Sequence, residues 1–186
     1  MENNILWSGI EYYSLENCIV DNISDSVIIN SVIIGVYLEK IYRVEYDIIL
    51  DRNWRTKSCQ IKSQINKEIK IYELLQEKNR WFVNGRSHPE FNDCFDIDIS
   101  LTPLTNSLPI NRLKLNIGQE KKVNVIYIDL MDNTIKHVKQ KYRRISTGIY
   151  KYENIPNDFE AEIKVDDAGF VVDYPQLFER KIRVQN

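Results

Sequence analysis

The chain has 186 residues, with 25 basic and 27 acidic side chains and a net charge of −2, so it lacks the overall positive field that nucleic-acid binding rests on. Its 27 isoleucines, 13 valines and 5 threonines, with 3 tryptophans, 11 tyrosines and 6 phenylalanines, stand against two alanines, which makes it a β-protein by composition. Only two histidines (His88, His137) and three scattered cysteines (Cys18, Cys59, Cys94) occur, so no paired zinc-type spacing is visible and little equipment for histidine-based catalysis exists.

From the N-terminus, the first residues lack a basic region followed by an apolar core, so no signal peptide is read there. Residues 5–13 and 26–38 are expected strands; the second is a charge-free stretch of thirteen residues, a length none exceeds and short of the ~20 needed to span a bilayer. Arg43-Val44-Glu45-Tyr46-Asp47-Ile48 alternates cleanly, as does Val123-Asn124-Val125-Ile126-Tyr127 further on. Period two of this kind predicts half-buried antiparallel strands. Further strands are expected over 56–63, 67–74, 80–83, 94–101, 112–117, 134–145, 149–153, 159–165, 169–174 and 178–184. Loops are expected at 84–89 and 154–158, and tight turns at Asp132-Asn133 and Asp166-Asp167-Ala168-Gly169. The basic run 136–144 places charge on both parities of a strand and so forms no single positive face.

The centre interrupts the pattern, because Pro103 and Pro109 rule out a central strand between them. Thr102-Pro103 reads as a helix N-cap and first helical position, and Pro109 biases Leu108 away from helical angles. One short helical turn ending at Leu108, with Leu104 and Leu108 inward, is the expected product. Just before it, Asp96 and Asp98 fall on one face of a strand, about 6.5–7 Å apart. Paired carboxylates suit sugar hydroxyls, a hard cation, or acid/base hydrolysis, while an arginine such as Arg112 or Arg55 would neutralise them. Among the aromatics, Trp7, Trp54, Trp81 and the tyrosines offer large apolar faces with a polar tip, which serve a core or a ligand cavity.

The stretch Asp93-Cys94-Phe95-Asp96-Ile97-Asp98-Ile99-Ser100-Leu101-Thr102-Pro103-Leu104-Thr105-Asn106-Ser107-Leu108-Pro109-Ile110-Asn111-Arg112 resembles the signature of the bacterial family named putative glycolipid-binding, formerly a domain of unknown function. Trp7, Trp54-Arg55-Thr56, Arg80-Trp81, Gln140-x-Tyr142, Tyr150-x-Tyr152 and Asp173-Tyr174-Pro175 follow in the family's order. Leu104 and Asn111 depart from its usual aromatic and second arginine, and Asp93 stands where glycine is usual. The resemblance implies a mainly β fold: an antiparallel roll, an incompletely closed barrel around one short helical plug, similar to lipoprotein carriers.

One domain over residues 1–186 is therefore expected, holding a glycolipid-like amphiphile in an apolar cavity. The expected ligand contacts are Asp96, Asp98, Asn106, Arg112, Trp54, Trp81, Trp7 and Tyr142. No cofactor, metal, nucleic acid or stable membrane insertion is expected; the location is cytoplasmic and the state a monomer or homodimer. The alternatives are a hydrolase of sugar-containing substrates using Asp96 and Asp98, and a ligand-free module dimerising through a sheet edge.

Overall fold

The computed structural model describes residues 2–156 and 158–185. Asn157, which the sequence places in the 154–158 loop, lies outside the described residues, as do Met1 and Asn186 at the ends of the expected domain. Among the described residues, fifteen strands form a single sheet. They are β1 (Glu2–Gly9), β2 (Ser14–Ile23), β3 (Ser26–Tyr37), β4 (Lys40–Asp51), β5 (Thr56–Ile65), β6 (Glu68–Glu77), β7 (Arg80–Val83) and β8 (Arg86–Ser87) in the first half. After a 3-10 turn at Pro89–Phe91 come β9 (Asp96–Ile99), α1 (Leu104–Leu113), β10 (Glu120–Asp129), β11 (Thr134–Ser146), β12 (Ile149–Ile155), β13 (Glu160–Val165), β14 (Val171–Tyr174) and β15 (Phe178–Gln185).

Strands β1 to β8 lie side by side in chain order, and so do β9 to β15. The two halves meet where β1 pairs antiparallel with β15, Leu6 opposite Ile182. At the far ends the sheet curls back without closing into a barrel. Single hydrogen bonds bridge that gap: Thr56 N–H to the Phe95 carbonyl at 3.0 Å, and the Trp81 indole N–H to the Cys94 carbonyl at 3.1 Å. Apart from Glu68–Tyr72 of β6, which extend past β7, the edge-pairing route to a dimer would meet the two terminal strands. One is the two-residue β8, and the other is β9, three of whose four residues are buried.

Strand β9 is the one parallel member, pairing with β10 through Val125 opposite Asp96. Parallel neighbours cannot be joined by a tight hairpin, so the chain needs a crossover, and α1 supplies it. The helix lies between two apolar cores. Leu104 and Leu108 pack with Trp7, Ile29, Ile48 and Trp81, while Ile110 joins Val125, Tyr142, Ile163 and Phe178.

The plug is longer than the single turn expected from its prolines. α1 runs ten residues and contains Pro109. An interior proline loses one backbone hydrogen bond and crowds the preceding turn, a cost of about 3 kcal/mol. Burial of every residue from Leu104 to Ile110 outweighs it. The Thr102 hydroxyl accepts the Leu104 N–H at 3.0 Å, but the N-cap is Pro103, without a side-chain capping bond, so Thr102 is not the N-cap and Pro103 is not the first helical residue as expected. The expected strand over 112–117 does not form: its first two residues end α1, Lys114 turns the chain with a φ of +46°, and the rest is loop. Among the described residues, no helix is long and apolar enough to cross a membrane.

Candidate functional site

Both carboxylates of β9 face α1, and the helix commits them differently. Asp96 is fully buried, and Arg112 from the last turn of α1 grips it with two hydrogen bonds, Nε to Oδ1 at 2.9 Å and Nη2 to Oδ2 at 2.5 Å. Burial pushes the Asp96 carboxyl up from its ordinary value, opposed by the hydrogen bonds and charge of Arg112 and the charge of Arg55. The two-pronged geometry is that of a carboxylate–guanidinium ion pair. The Arg55 and Arg112 guanidinium carbons lie 4.7 and 5.6 Å from the Phe95 ring centroid.

Asp98 is half-buried and looks into a cavity of about 530 Å3. Its Oδ1 accepts the Thr105 hydroxyl at 2.8 Å and its Oδ2 accepts the Gln140 amide at 2.6 Å. The Tyr142 hydroxyl sits 3.1 Å from both the Gln140 and the Asn106 side-chain oxygens. Thr105 and Asn106 are neighbours on α1, so the network runs from helix to β9, to β11, and back to the helix. Burial pushes the Asp98 carboxyl upward against the two bonds it accepts.

The cavity opens at the end of the roll where the β1–β2, β12–β13 and β14–β15 turns meet the start of α1. Its floor is polar: Asp98, Ser100, Thr102, Asn106 and Gln140. Its walls are aromatic: Tyr12, Tyr127, Tyr152, Phe159, Tyr174 and Phe178. These rings support one another, with Tyr152 centred 6.1 Å from Phe159 and 6.2 Å from Tyr174, and Tyr12 stacked 5.7 Å from Phe178. Burial pushes the phenols of Tyr12, Tyr127, Tyr152 and Tyr174 well above their ordinary value, so they present neutral faces. Glu11, Lys136, Lys139 and Asp158 add charged groups to the lining.

Of the residues singled out from sequence, Asp98 and Asn106 line this cavity and Tyr142 stands behind them in the floor network. Asp96 and Arg112 are bound to each other outside it. Trp7 and Trp81 are fully buried in the core, each tied by its indole N–H to a backbone carbonyl, of Val171 and of Cys94. Trp54 is partly buried, its ring 6.2 Å from Phe170. A two-carboxylate hydrolase site requires both acids at the substrate. Here Asp96 is sealed beneath Arg112, so the paired arrangement read from the spacing is not formed.

Sequence reasoning assigned none of the wall residues individually to the ligand, although Tyr127, Tyr152 and Tyr174 stand in its strand and family motifs. A signal was present: Tyr142 and Tyr152 each belong to a Tyr-bearing strand motif, and the β11–β12 hairpin sets them directly opposite, rings 5.4 Å apart. Glu16 was also missed. It is buried on β2 beneath the start of α1, where Oε1 accepts Tyr46, Ser31 and Thr102 hydroxyls at 2.5, 2.8 and 2.9 Å. Its Oε2 is buried with no hydrogen-bond partner among the described residues, and burial pushes the carboxyl up to about 7.

Residues 4–180 match the family described as "Putative glycolipid-binding". The fold is similar to the crystal structure of a DUF1089 family protein from Pseudomonas aeruginosa, with 29% identity, a TM-score of 0.78, and coverage of 90% of this chain and 91% of that one. No curated protein sequence matches the chain. With the family pattern spanning nearly all of the chain and the roll-and-helix architecture shared with that relative, the protein belongs to the "Putative glycolipid-binding" family.

Proposed function

We propose that the protein binds a glycolipid-like amphiphile in the half-open cavity beside α1. The carrying observation is the cavity itself: about 530 Å3, with aromatic walls over a small polar floor. That size and lining are those of small-molecule sites, which are mostly apolar with a few placed polar groups. An acyl or alkyl portion would lie against Tyr12, Tyr152, Tyr174 and Phe178, gaining roughly 25 cal/mol for each Å2 of apolar surface buried, before ordering costs. A hydroxyl-rich head would meet Asp98 and Asn106. The Asn106 oxygen is approached by Tyr142, which leaves its amide NH2 to donate, while Asp98 accepts. Under this reading Gln140 and Tyr142 position those two groups, and Asp96 and Arg112 hold the helix that carries Asn106.

Native mass spectrometry of the purified protein tests the reading. The expected spectrum carries an added mass that disappears on denaturation, or gains one when octyl glucoside is supplied below its micellar concentration. Absence of both sinks the proposal. Phe159 is 39% exposed at the cavity. Phe159→Ala should therefore leave the fold intact and weaken octyl glucoside binding about 10-fold, the equivalent of losing part of one aromatic contact. Titration followed by tyrosine and tryptophan fluorescence measures it, and unchanged affinity would place the ligand elsewhere.

A further inference from the structure

We infer that Asp93, Cys94 and His137 form a binding site for one divalent cation of the zinc class. The site is separate from the cavity, since none of the three lines it. Asp93 and Cys94 lie in the loop between the 3-10 turn and β9, and His137 lies on β11, in register with Ile126 of β10. His137 itself does not line the cavity, although Lys136, Val138, Lys139 and Gln140 of the same strand do. It meets the loop that leads into β9, two strands away. No spacing rule reveals this grouping, because the sheet brings together residues distant in the chain.

The donor atoms are already gathered. His137 Nε2 is 3.3 Å from Asp93 Oδ1, and Cys94 Sγ is 4.0 Å from the same oxygen. One ligand atom from each of the three lies within 4.8 Å of the others, and among the described residues this is the one such grouping. Tetrahedral coordination with bonds of ~2.0–2.3 Å separates ligand atoms by roughly 3.3–3.6 Å. The nitrogen–oxygen distance is thus already that of a shared ion, and the sulfur, within 4.8 Å of both, must move inward to join them.

The chemistry of the set is as telling as its spacing. Thiolate, imidazole and carboxylate together suit zinc and its neighbours, whereas calcium and magnesium prefer oxygen alone. Cys94 is fully buried, while the Asp93 and His137 side chains are 61% and 29% exposed, so the ion would enter from solvent and rest on the sulfur. Three protein ligands leave a fourth position to water. The Asn124 amide donates to Asp93 Oδ2 at 2.6 Å, which turns Oδ1 toward the other two donors. Such outer-shell bonds are what orient metal ligands. The Cys94 backbone is held at both ends, its N–H on the Phe91 carbonyl at 2.9 Å and its carbonyl under the Trp81 indole.

Anaerobic titration of the reduced full-length protein with Co2+ is the deciding experiment. One equivalent should bind, with a sulfur-to-cobalt charge-transfer band and intense visible bands of a four-coordinate ion, all bleached by excess Zn2+. Cys94→Ser should abolish the charge-transfer band. His137→Gln and Asp93→Asn should each weaken binding at least about 10-fold, and Asn124→Ala by a similar factor through Asp93. Absence of the sulfur band in the wild type, or its survival in Cys94→Ser, overturns the site. So does undiminished affinity in both His137→Gln and Asp93→Asn. Those two substitutions lie at the surface, so they decide the question even where Cys94→Ser does not fold.

Discussion

Arg112→Ala is expected to destabilise the protein by about 3–5 kcal/mol, the usual consequence of stripping one partner from a buried ion pair. The loss arises less from the missing attraction than from what remains. Asp96 is fully buried, and both its oxygens take their hydrogen bonds from Arg112. Arg55 contributes charge but sits over the Phe95 ring and makes no hydrogen bond to the carboxylate. Urea unfolding at pH 7, followed by tryptophan fluorescence, measures the change. Replacing both groups tests the reason: Asp96→Val with Arg112→Met should lie within about 1 kcal/mol of the wild type, because well-packed apolar replacements of buried pairs are often neutral. A cost under ~1 kcal/mol for Arg112→Ala alone would mean that water reaches Asp96.

Glu16 carries the second large effect, and it is read out by pH. Its carboxyl is raised by burial to about 7 in the folded protein, against an ordinary value of 4.5. The folded state therefore holds the proton more tightly than the unfolded chain. Stability is greatest below about pH 4.5 as far as this group is concerned, falls as pH rises toward 7, and levels off above it. The shift is equivalent to about 3 kcal/mol across that window. Burial shifts Asp96 and Asp98 in the same direction. Glu16→Gln keeps an oxygen for the Tyr46, Ser31 and Thr102 hydroxyls and removes the titration. Melting temperatures between pH 4.5 and 7.5 should consequently fall less steeply in Glu16→Gln than in the wild type. Parallel curves would show that Glu16 is solvated.

Glu16 also explains where the fold was legible and where it was not. Strands such as β4 and β10 announce themselves because apolar residues face inward at period two. In the first half of β2 the sign is reversed: Ser14 and Glu16 face the interior while Leu15 is 56% exposed, before Cys18 and Val20 restore the apolar inward face. The alternation exists, but it points polar groups at the core, and only the hydroxyls of other elements make that tolerable. The opposite error arises at 112–117, where Leu113, Leu115 and Ile117 alternate with polar residues like a strand while ending a helix and forming a loop. Pro109 misleads for a third reason, since its local cost is overridden by burial that only the surrounding sheet creates. The site divides the same way. Asp98 and Asn106 belong to a contiguous motif and were legible, whereas the aromatic wall is assembled from β10, β12, β14, β15 and two turns and forms no contiguous motif.

The neighbour-by-neighbour strand order has a kinetic consequence. From β1 to β8 and from β10 to β15, every ladder joins strands adjacent in the chain, so each closes a short loop at small entropic cost. Two pairings are non-local, β1 with β15 and β9 with β10 across the helix. Contacts of large sequence separation are the slow ones. Each half can thus zip up hairpin by hairpin, and the rate-limiting event is their meeting around α1, which is buried against both cores at once. Substitutions at Leu104 or Leu108 should on that account slow refolding, while equivalent truncations in the outer hairpins should chiefly hasten unfolding.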